Sequence, residues 1–401
     1  MRIAIITGEY PPLEGGVGDF TARLAHALVD QDHRIHVLTS LSDDERRERQ
    51  HCLTVYREIE EWGWAAHTQI MRWLRDIDPD IINIQYQAAA YEMRAGITLF
   101  PRWQGRNLPM PIVTTFHDLR TPYLFPKAGP LRSWAVWQMG QYSDGVIVTN
   151  EGDYTQLTEN LREETQPQIR LIPIGSNIAP HPPVDYERHA WRGRRGILKE
   201  DLLLGFFGFL NKSKGVEILL QALARLVEQG QPVHLVFIGG RTGSSDITNA
   251  AYANKIDALI AELGLEERVH RTGFITPEEV SAALLATDLC VLPYRDGASL
   301  RRGTLHACLA HGCPIVTTEP QTGSSELEDE QNVLLVPPED VGALVDAILR
   351  LCEDPEMRVK LAQNATGLAT KFSWERIAAH TSKFFEQLIE VRQSRHARAR
   401  A

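Results

Sequence analysis

Residues Val291–Thr318, VLPYRDGASLRRGTLHACLAHGCPIVTT, read as a strand, a glycine-containing loop, a helix and a second strand. The apolar run Cys290-Val291-Leu292 leads into the loop Asp296–Thr304, and a helix then runs to Gly312. A loop feeding a helix N-terminus presents unpaired backbone N–H groups and the positive end of the helix dipole. Arg301 and Arg302 add forked donors suited to phosphate, and no acidic residue lies between Gly297 and Thr318. Two arginines beside a helix N-terminus oppose the dipole unless an anion sits there. The stretch predicts a phosphate seat at Arg301, Arg302, Gly303 and Thr304, inside an α/β fold.

Working outward, the same grammar repeats. Leu202–Phe207 is an apolar strand, Gly208–Gly215 a loop containing Lys212 and Lys214, and Val216–Val227 a helix with Val216, Leu219, Leu220, Leu223 and Leu226 on one face. Strand Val233–Ile238 ends in Gly239-Gly240. The helix Ala251–Leu263, the strand Val269-His270 and a helix opening at Thr276 with Pro277 and Glu278-Glu279 in its first turn follow. Toward the N-terminus, strand Ile3–Ile6, the loop Thr7–Gly18, a helix carrying Phe20, Leu24 and Leu28, and strand Ile35–Leu38 form a βαβ unit, which predicts a parallel sheet. Gly15, Gly16 and Gly18 let backbone approach a ligand.

Strands at Ile81–Ile84, Ile112–Phe116, Gly145–Thr149 and Ile169–Ile174 extend this first half, with a helix over Trp62–Ile77. His117 stands just past the carboxyl end of a parallel strand, where open α/β sheets bind ligands. Gln85 and Tyr86 end a neighbouring strand in the same way. The pairs Asp76/Asp78 and Asp78/Asp80 look like metal ligands but are read as a helix end and a Pro79 turn, so no metal is assigned. The linker is placed at Ala179–Pro183, followed by an irregular charged segment, Tyr186–Arg195.

At 401 residues the chain is long enough for two domains. Acidic residues outnumber basic ones, 52 to 42, which speaks against a general nucleic-acid binder. Five cysteines without paired spacing indicate reduced, packed thiols and a cytoplasmic protein. No apolar run reaches the roughly 18 residues of a spanning helix, and the N-terminus lacks a leader pattern. The tail holds Arg392, Arg395, Arg398 and Arg400, read as an exposed basic end.

The motifs EYPPLEGGVGDF, TTFHD, IPIGSN, LNKSKGVEILLQAL, GFIT and ALAHGCPIVTT, in that order, resemble the GT-B glycosyltransferases of family 4, over Met1 to about Leu388. The resemblance implies two Rossmann-like domains facing across a cleft, residues 1–180 and 181–373. The helix 374–391 packs back on the first domain, and 392–401 forms a basic tail. It implies a retaining, metal-independent transfer from a UDP-, GDP- or ADP-sugar to a hydroxyl acceptor, with no cofactor beyond the donor. It also implies polysaccharide or glycolipid assembly, and contact with the inner membrane face where the acceptor is a lipid. Carried over by position, His117 is the catalytic residue. Gly16, Lys212, Lys214, Arg301, Arg302, Gly303 and Thr304 hold the donor phosphates. Gly239, Thr272, Phe274, Ser299 and Leu300 hold the base and sugar, and Gly15, Gln85 and Tyr86 lie on the acceptor side.

The chain departs from the pattern in three places. Phe209 stands where the family has an arginine. The two family glutamates fall on Ser299 and Ala307, or on Ala298 and His306, none of them a carboxylate. Two rivals follow: a nucleotide-sugar epimerase using Glu9 and Asp118 as acid and base, and a non-catalytic donor-binding partner of the same fold.

Overall fold

The structure, a computed structural model, describes residues 1–13, 15–42, 46–119, 129–161, 167–240, 247–321 and 326–400. The chain divides into two compact units, Met1–Gly175 with Trp374–Ala401, and Ser176–Ser373.

The first unit is built on eight strands: β1 (Arg2–Thr7), β2 (Arg34–Ser40), β3 (Arg47–Gln50), β4 (Leu53–Ile59), β5 (Ile81–Tyr86), β6 (Ile112–Phe116), β7 (Gly145–Val148) and β8 (Gln168–Leu171). Their order is β3-β4-β2-β1-β5-β6-β7-β8, parallel throughout except for the antiparallel β3–β4 pair. That pair has no counterpart in the sequence reading. β3 is charged along its length, as suits an exposed sheet edge, and so lacks the apolar signal of a strand. The interior strands β1 and β5 are almost wholly buried because helices cover both faces of a parallel sheet.

One covering layer is the helix Gly16–Val29, whose buried face includes Val17, Phe20, Leu24 and Leu28. Against it lies the C-terminal helix Trp374–Arg400, with Phe20 and Trp374 rings 5.2 Å apart. This helix is longer than its apolar pattern suggests. Arg392, expected in a free basic tail, is instead tied to Asp144 at 3.1 Å and to the carbonyls of Gly105 and Leu108 at 2.8 and 2.7 Å. The side chains of residues 396–400, Arg398 and Arg400 among them, lie outside the described residues.

The second unit holds six parallel strands: β9 (Leu202–Phe207), β10 (Val233–Ile238), β11 (Val269–Arg271), β12 (Leu289–Leu292), β13 (Ile315–Thr318) and β14 (Leu334–Val336). Their order is β11-β10-β9-β12-β13-β14, so the winding reverses between β9 and β12. The segment read as irregular contains a short helix, Arg188–Gly193, fixed by Arg188 and Arg192 on Asp288. The helix expected to open at Thr276 runs Pro277–Ala286, and Thr276 and Glu279 close a capping box on it.

Candidate functional site

In a doubly wound sheet, ligands gather beyond the carboxyl ends of the strands where the winding reverses. In the second unit that place is the ends of β9 and β12. β9 runs into Gly208, whose φ is +116°. A Cβ there would lie 2.4 Å from Lys214 Nζ and 2.8 Å from Thr304 Cγ2. Only glycine lets the ammonium and the threonine close over the strand end.

Lys214 ends the turn Lys212–Lys214 ahead of the helix Val216–Glu228. Its ammonium has no hydrogen bond or ion pair among the described residues. Burial first, and the Arg302 charge second, pull its pKa down to about 7. Beside it the helix Gly303–Ala310 starts from Arg302 with no side-chain cap. The N–H groups of Gly303 and Thr304 have no acceptor among the described residues. Thr304 Oγ1 is paired with the Tyr294 hydroxyl at 2.8 Å.

The two arginines are not equivalent. Arg302 is ion-paired with Asp296 and lies 4.0 Å above the Tyr294 ring. The expectation of two uncontested cations is corrected: Asp296, one residue before the acid-free stretch, neutralises one of them. Arg301 is exposed, as is Lys212.

Around Gly239 the expected base site has its own bracing. Gly239 N–H donates to Thr272 Oγ1 at 3.0 Å, and that hydroxyl donates to Gly273 O at 2.9 Å. Phe274 is 71% exposed and Phe209 37%, and a Cβ on Gly240 would sit 3.0 Å from the Phe209 ring. Phe209, noticed in the sequence only as a missing arginine, thus joins Phe274 in an exposed aromatic pair flanking Gly240. At the positions of the family glutamates, Ala298 and Ala307 are buried. Ser299 Oγ accepts from Arg301 N–H at 3.3 Å. His306, also buried, bonds the Leu300 carbonyl at 2.7 Å and packs on Phe372. Leu300 and His306 brace the loop.

In the first unit, His117 is half-buried at the end of β6. Its Nε2 is 2.8 Å from Gln85 Oε1, and its ring meets Phe20 edge-on at 4.7 Å. Burial brings its pKa down to about 4, so the ring is neutral at pH 7. Gln85 and Tyr86 are fully buried, which corrects their acceptor-side reading: β5 lies inside the sheet, and the Gln85 side chain is turned to His117 and Asn83.

The glycine loop is also occupied. Glu9 Oε1 accepts the N–H groups of Val17 and Gly18 at 2.9 and 3.1 Å. A Cβ on Gly15 would lie 2.1 Å from that oxygen, whereas Gly16 faces open space. The start of the Gly16–Val29 helix is therefore filled by the protein's own carboxylate, contrary to the expectation that Gly15 and Gly16 leave it for a ligand. Asp118 accepts from Gln87 at 2.9 Å. The two acids considered for epimerase chemistry are thus engaged with the protein itself. No cluster of three His, Cys, Asp or Glu suited to a metal occurs among the described residues. Asp80 bonds the backbone N–H of Arg2 at 2.6 Å.

Two family models match the chain: "Glycosyltransferase Family 4" over residues 14–179 and "Glycosyl transferases group 1" over residues 201–354. A D-inositol 3-phosphate glycosyltransferase of Corynebacterium jeikeium is 28% identical over 63% of this chain; the chain spans 59% of that relative's length. A phosphatidyl-myo-inositol mannosyltransferase of Mycobacterium leprae is 24% identical over 96% of each chain. Among solved structures, a sucrose-phosphate synthase of Thermosynechococcus elongatus aligns with TM-score 0.75 at 21% identity, covering 98% of this chain and 100% of that one. HepE of Anabaena, in complex with UDP, aligns with TM-score 0.74 at 20% identity, covering 96% and 100%.

Proposed function

This chain belongs to the family 4 glycosyltransferases, with the GT-B fold, and on that premise we propose that it moves a sugar from a nucleoside-diphosphate sugar to a hydroxyl acceptor. The observation that carries the donor class is the unpaired Lys214 ammonium beside the uncapped Gly303–Ala310 helix. A half-buried cation with no partner among the described residues is costly, and an uncapped helix start wants an acceptor. One diphosphate answers both.

In this proposal the leaving diphosphate takes its charge stabilisation from Lys214 and the N–H groups of Gly303 and Thr304, with Arg301 and Lys212 at the rim. These groups are aimed before the reaction begins, so they stabilise charge that develops as the glycosidic bond breaks. The charge falls to side chains and backbone N–H, and the proposal assigns none of it to a metal. Phe274 and Phe209 are the stacking surfaces for the base beside Gly239 and Thr272, and Ser299 lies toward the sugar. His117 serves the sugar ring, and Gly16 remains the open position of the first loop. The anomeric configuration is retained, by same-face attack assisted by the diphosphate.

HepE of Anabaena was solved in complex with UDP and with UDP-glucose, which makes UDP-sugars the first donors to try. The inositol-phosphate relatives make phosphorylated polyols the first acceptors, with glycans and glycolipids next. No described helix is long and apolar enough to cross a membrane. The proposal keeps the enzyme in the cytoplasm, with contact at the inner membrane face where the acceptor is a lipid.

The test is thermal denaturation against UDP-, GDP- and ADP-sugars, followed by release of nucleoside diphosphate with a polyol phosphate. One sugar nucleotide raises the melting temperature of the wild type and leaves Lys214→Ala unmoved. No stabilisation by any of them at millimolar concentration overturns the donor class.

A further inference from the structure

Below His117, a chain of buried side chains runs through the sheet. Asn83 and Gln85 lie on β5, two residues apart and thus on one face, with Val113 and Thr115 beside them on β6 and His117 just past its end. Asn83, Gln85 and Thr115 are at most 1% exposed. Polar side chains in an interior parallel strand oppose the usual apolar pattern. Packing alone would be served by valine or isoleucine, and their amides must be matched by partners here.

The partners fix a direction. Asn83 stands 3.3 Å from the Val113 carbonyl and 2.9 Å from Thr115 Oγ1. A backbone carbonyl only accepts, so Asn83 turns its Nδ2 toward it and its Oδ1 away. That Oδ1 in turn only accepts, and Gln85 meets it with Nε2 at 2.5 Å. Gln85 therefore presents Oε1 to His117, 2.8 Å from Nε2. An amide oxygen accepts, so the ring proton is held on Nε2 and Nδ1 is left with its lone pair. Nδ1 has no hydrogen bond among the described residues.

We propose that Asn83 and Gln85 are positioning residues. Through the Val113 carbonyl they set the His117 tautomer, so that Nδ1 meets the substrate as an acceptor from a hydroxyl and not as a donor to an anion. The role of the hydroxyl rests on the transferase reading above; the tautomer does not. The ligand atom facing Nδ1 is a sugar or acceptor hydroxyl, and the leaving phosphate oxygens take their donors elsewhere.

The test is nitrogen NMR on the full chain labelled in histidine, with the His117 signal assigned by its loss in His117→Asn. Wild type at pH 7 shows the Nε2–H tautomer. Gln85→Leu and Asn83→Leu release the constraint and give mixed tautomers, whereas Gln85→Glu keeps an acceptor and retains Nε2–H. In turnover the two leucine variants lose about 10–100-fold in kcat, the range of other partners that orient a functional histidine, with KM little changed. A wild-type ring protonated on Nδ1, or an unchanged spectrum in folded Gln85→Leu, overturns the proposal, and the wild-type reading needs only the His117→Asn variant that assigns its signal to fold. Full turnover by His117→Ala would sink the functional reading separately, leaving the tautomer result standing.

Discussion

Two helix starts, one in each unit, follow the carboxyl ends of parallel strands, and the protein treats them oppositely. At Gly16–Val29, Glu9 reaches back and takes the N–H groups of Val17 and Gly18. At Gly303–Ala310, among the described residues, no side chain caps, the N–H groups of Gly303 and Thr304 stay open, and an unpaired ammonium waits alongside. Both starts carry the same partial positive charge. The first is satisfied from within and is a structural joint. The second is left for an anion from outside, which is what a binding seat requires.

Of the effects this contrast predicts, the largest belongs to Lys214. Lys214→Ala is expected to lower kcat by about 10²–10³-fold with the donor identified by thermal shift, the loss seen when one preorganised donor to developing negative charge is removed. A variant with wild-type turnover breaks the contrast at its stronger end. Lys214→Arg sharpens it. The Lys214 pKa lies near 7 in the folded protein against about 10.5 for the free side chain. The sign follows from linkage: a lowered folded value costs the ligand-free protein stability as pH falls from the free value through the folded one. A bound diphosphate requires the charged form, so donor binding takes up a proton above pH 7. Donor affinity in wild type is expected to fall by up to about tenfold per pH unit above that point. Lys214→Arg stays charged and is expected to lose the trend, as read by calorimetric titration between pH 6.5 and 9. A parallel slope in both proteins moves the titrating group elsewhere.

The strand-to-helix turns were open to reading from residues because their signals are local. A strand, a glycine, Lys-Gly and a helix follow one another at Leu202–Val227, and β6, β9 and β10 begin and end where their apolar runs do. What escaped depends on distant or opposed partners. Gln85 and Tyr86 end a strand as ligand residues do, and only the packing of β5 against β6 shows both buried. Arg302 reads as uncontested in the acid-free run Gly297–Thr318, and its partner Asp296 stands one residue before that run. Glu9 is eight residues before Val17, and nothing in periodicity brings a carboxylate back to the helix that follows it.

At the filled start, the effect expected is smaller. Glu9→Ala leaves Val17 and Gly18 without an acceptor and is expected to cost about 0.5–2 kcal/mol of stability, as for other lost N-terminal caps. It should also turn the joint into a seat. In a Lys214→Ala background, which silences the second unit's site, millimolar pyrophosphate is expected to raise the melting temperature of the Glu9→Ala protein more than that of its parent. Equal shifts would mean that emptying this start does not make it an anion site, and that its geometry, not its occupant, separates the two.

The smallest effect asks what kind of cap Glu9 is. Glu9→Gln keeps an oxygen acceptor for Val17 and Gly18 and removes only the charge, so the two proteins should differ by less than about 1 kcal/mol. Burial raises the Glu9 pKa, more than the two backbone hydrogen bonds lower it. A raised folded value means that the acid's contribution is fully present below its ordinary value near 4.5 and is lost as pH rises through the folded value. Wild type should therefore lose ground to Glu9→Gln as pH rises above the ordinary value near 4.5 in urea unfolding. The opposite slope, with wild type gaining as the carboxyl ionises, would show that the helix start rewards a full negative charge despite burial. Glu9 would then be a true anion in a true anion seat, and the two units would differ only in whether that anion is built in or borrowed.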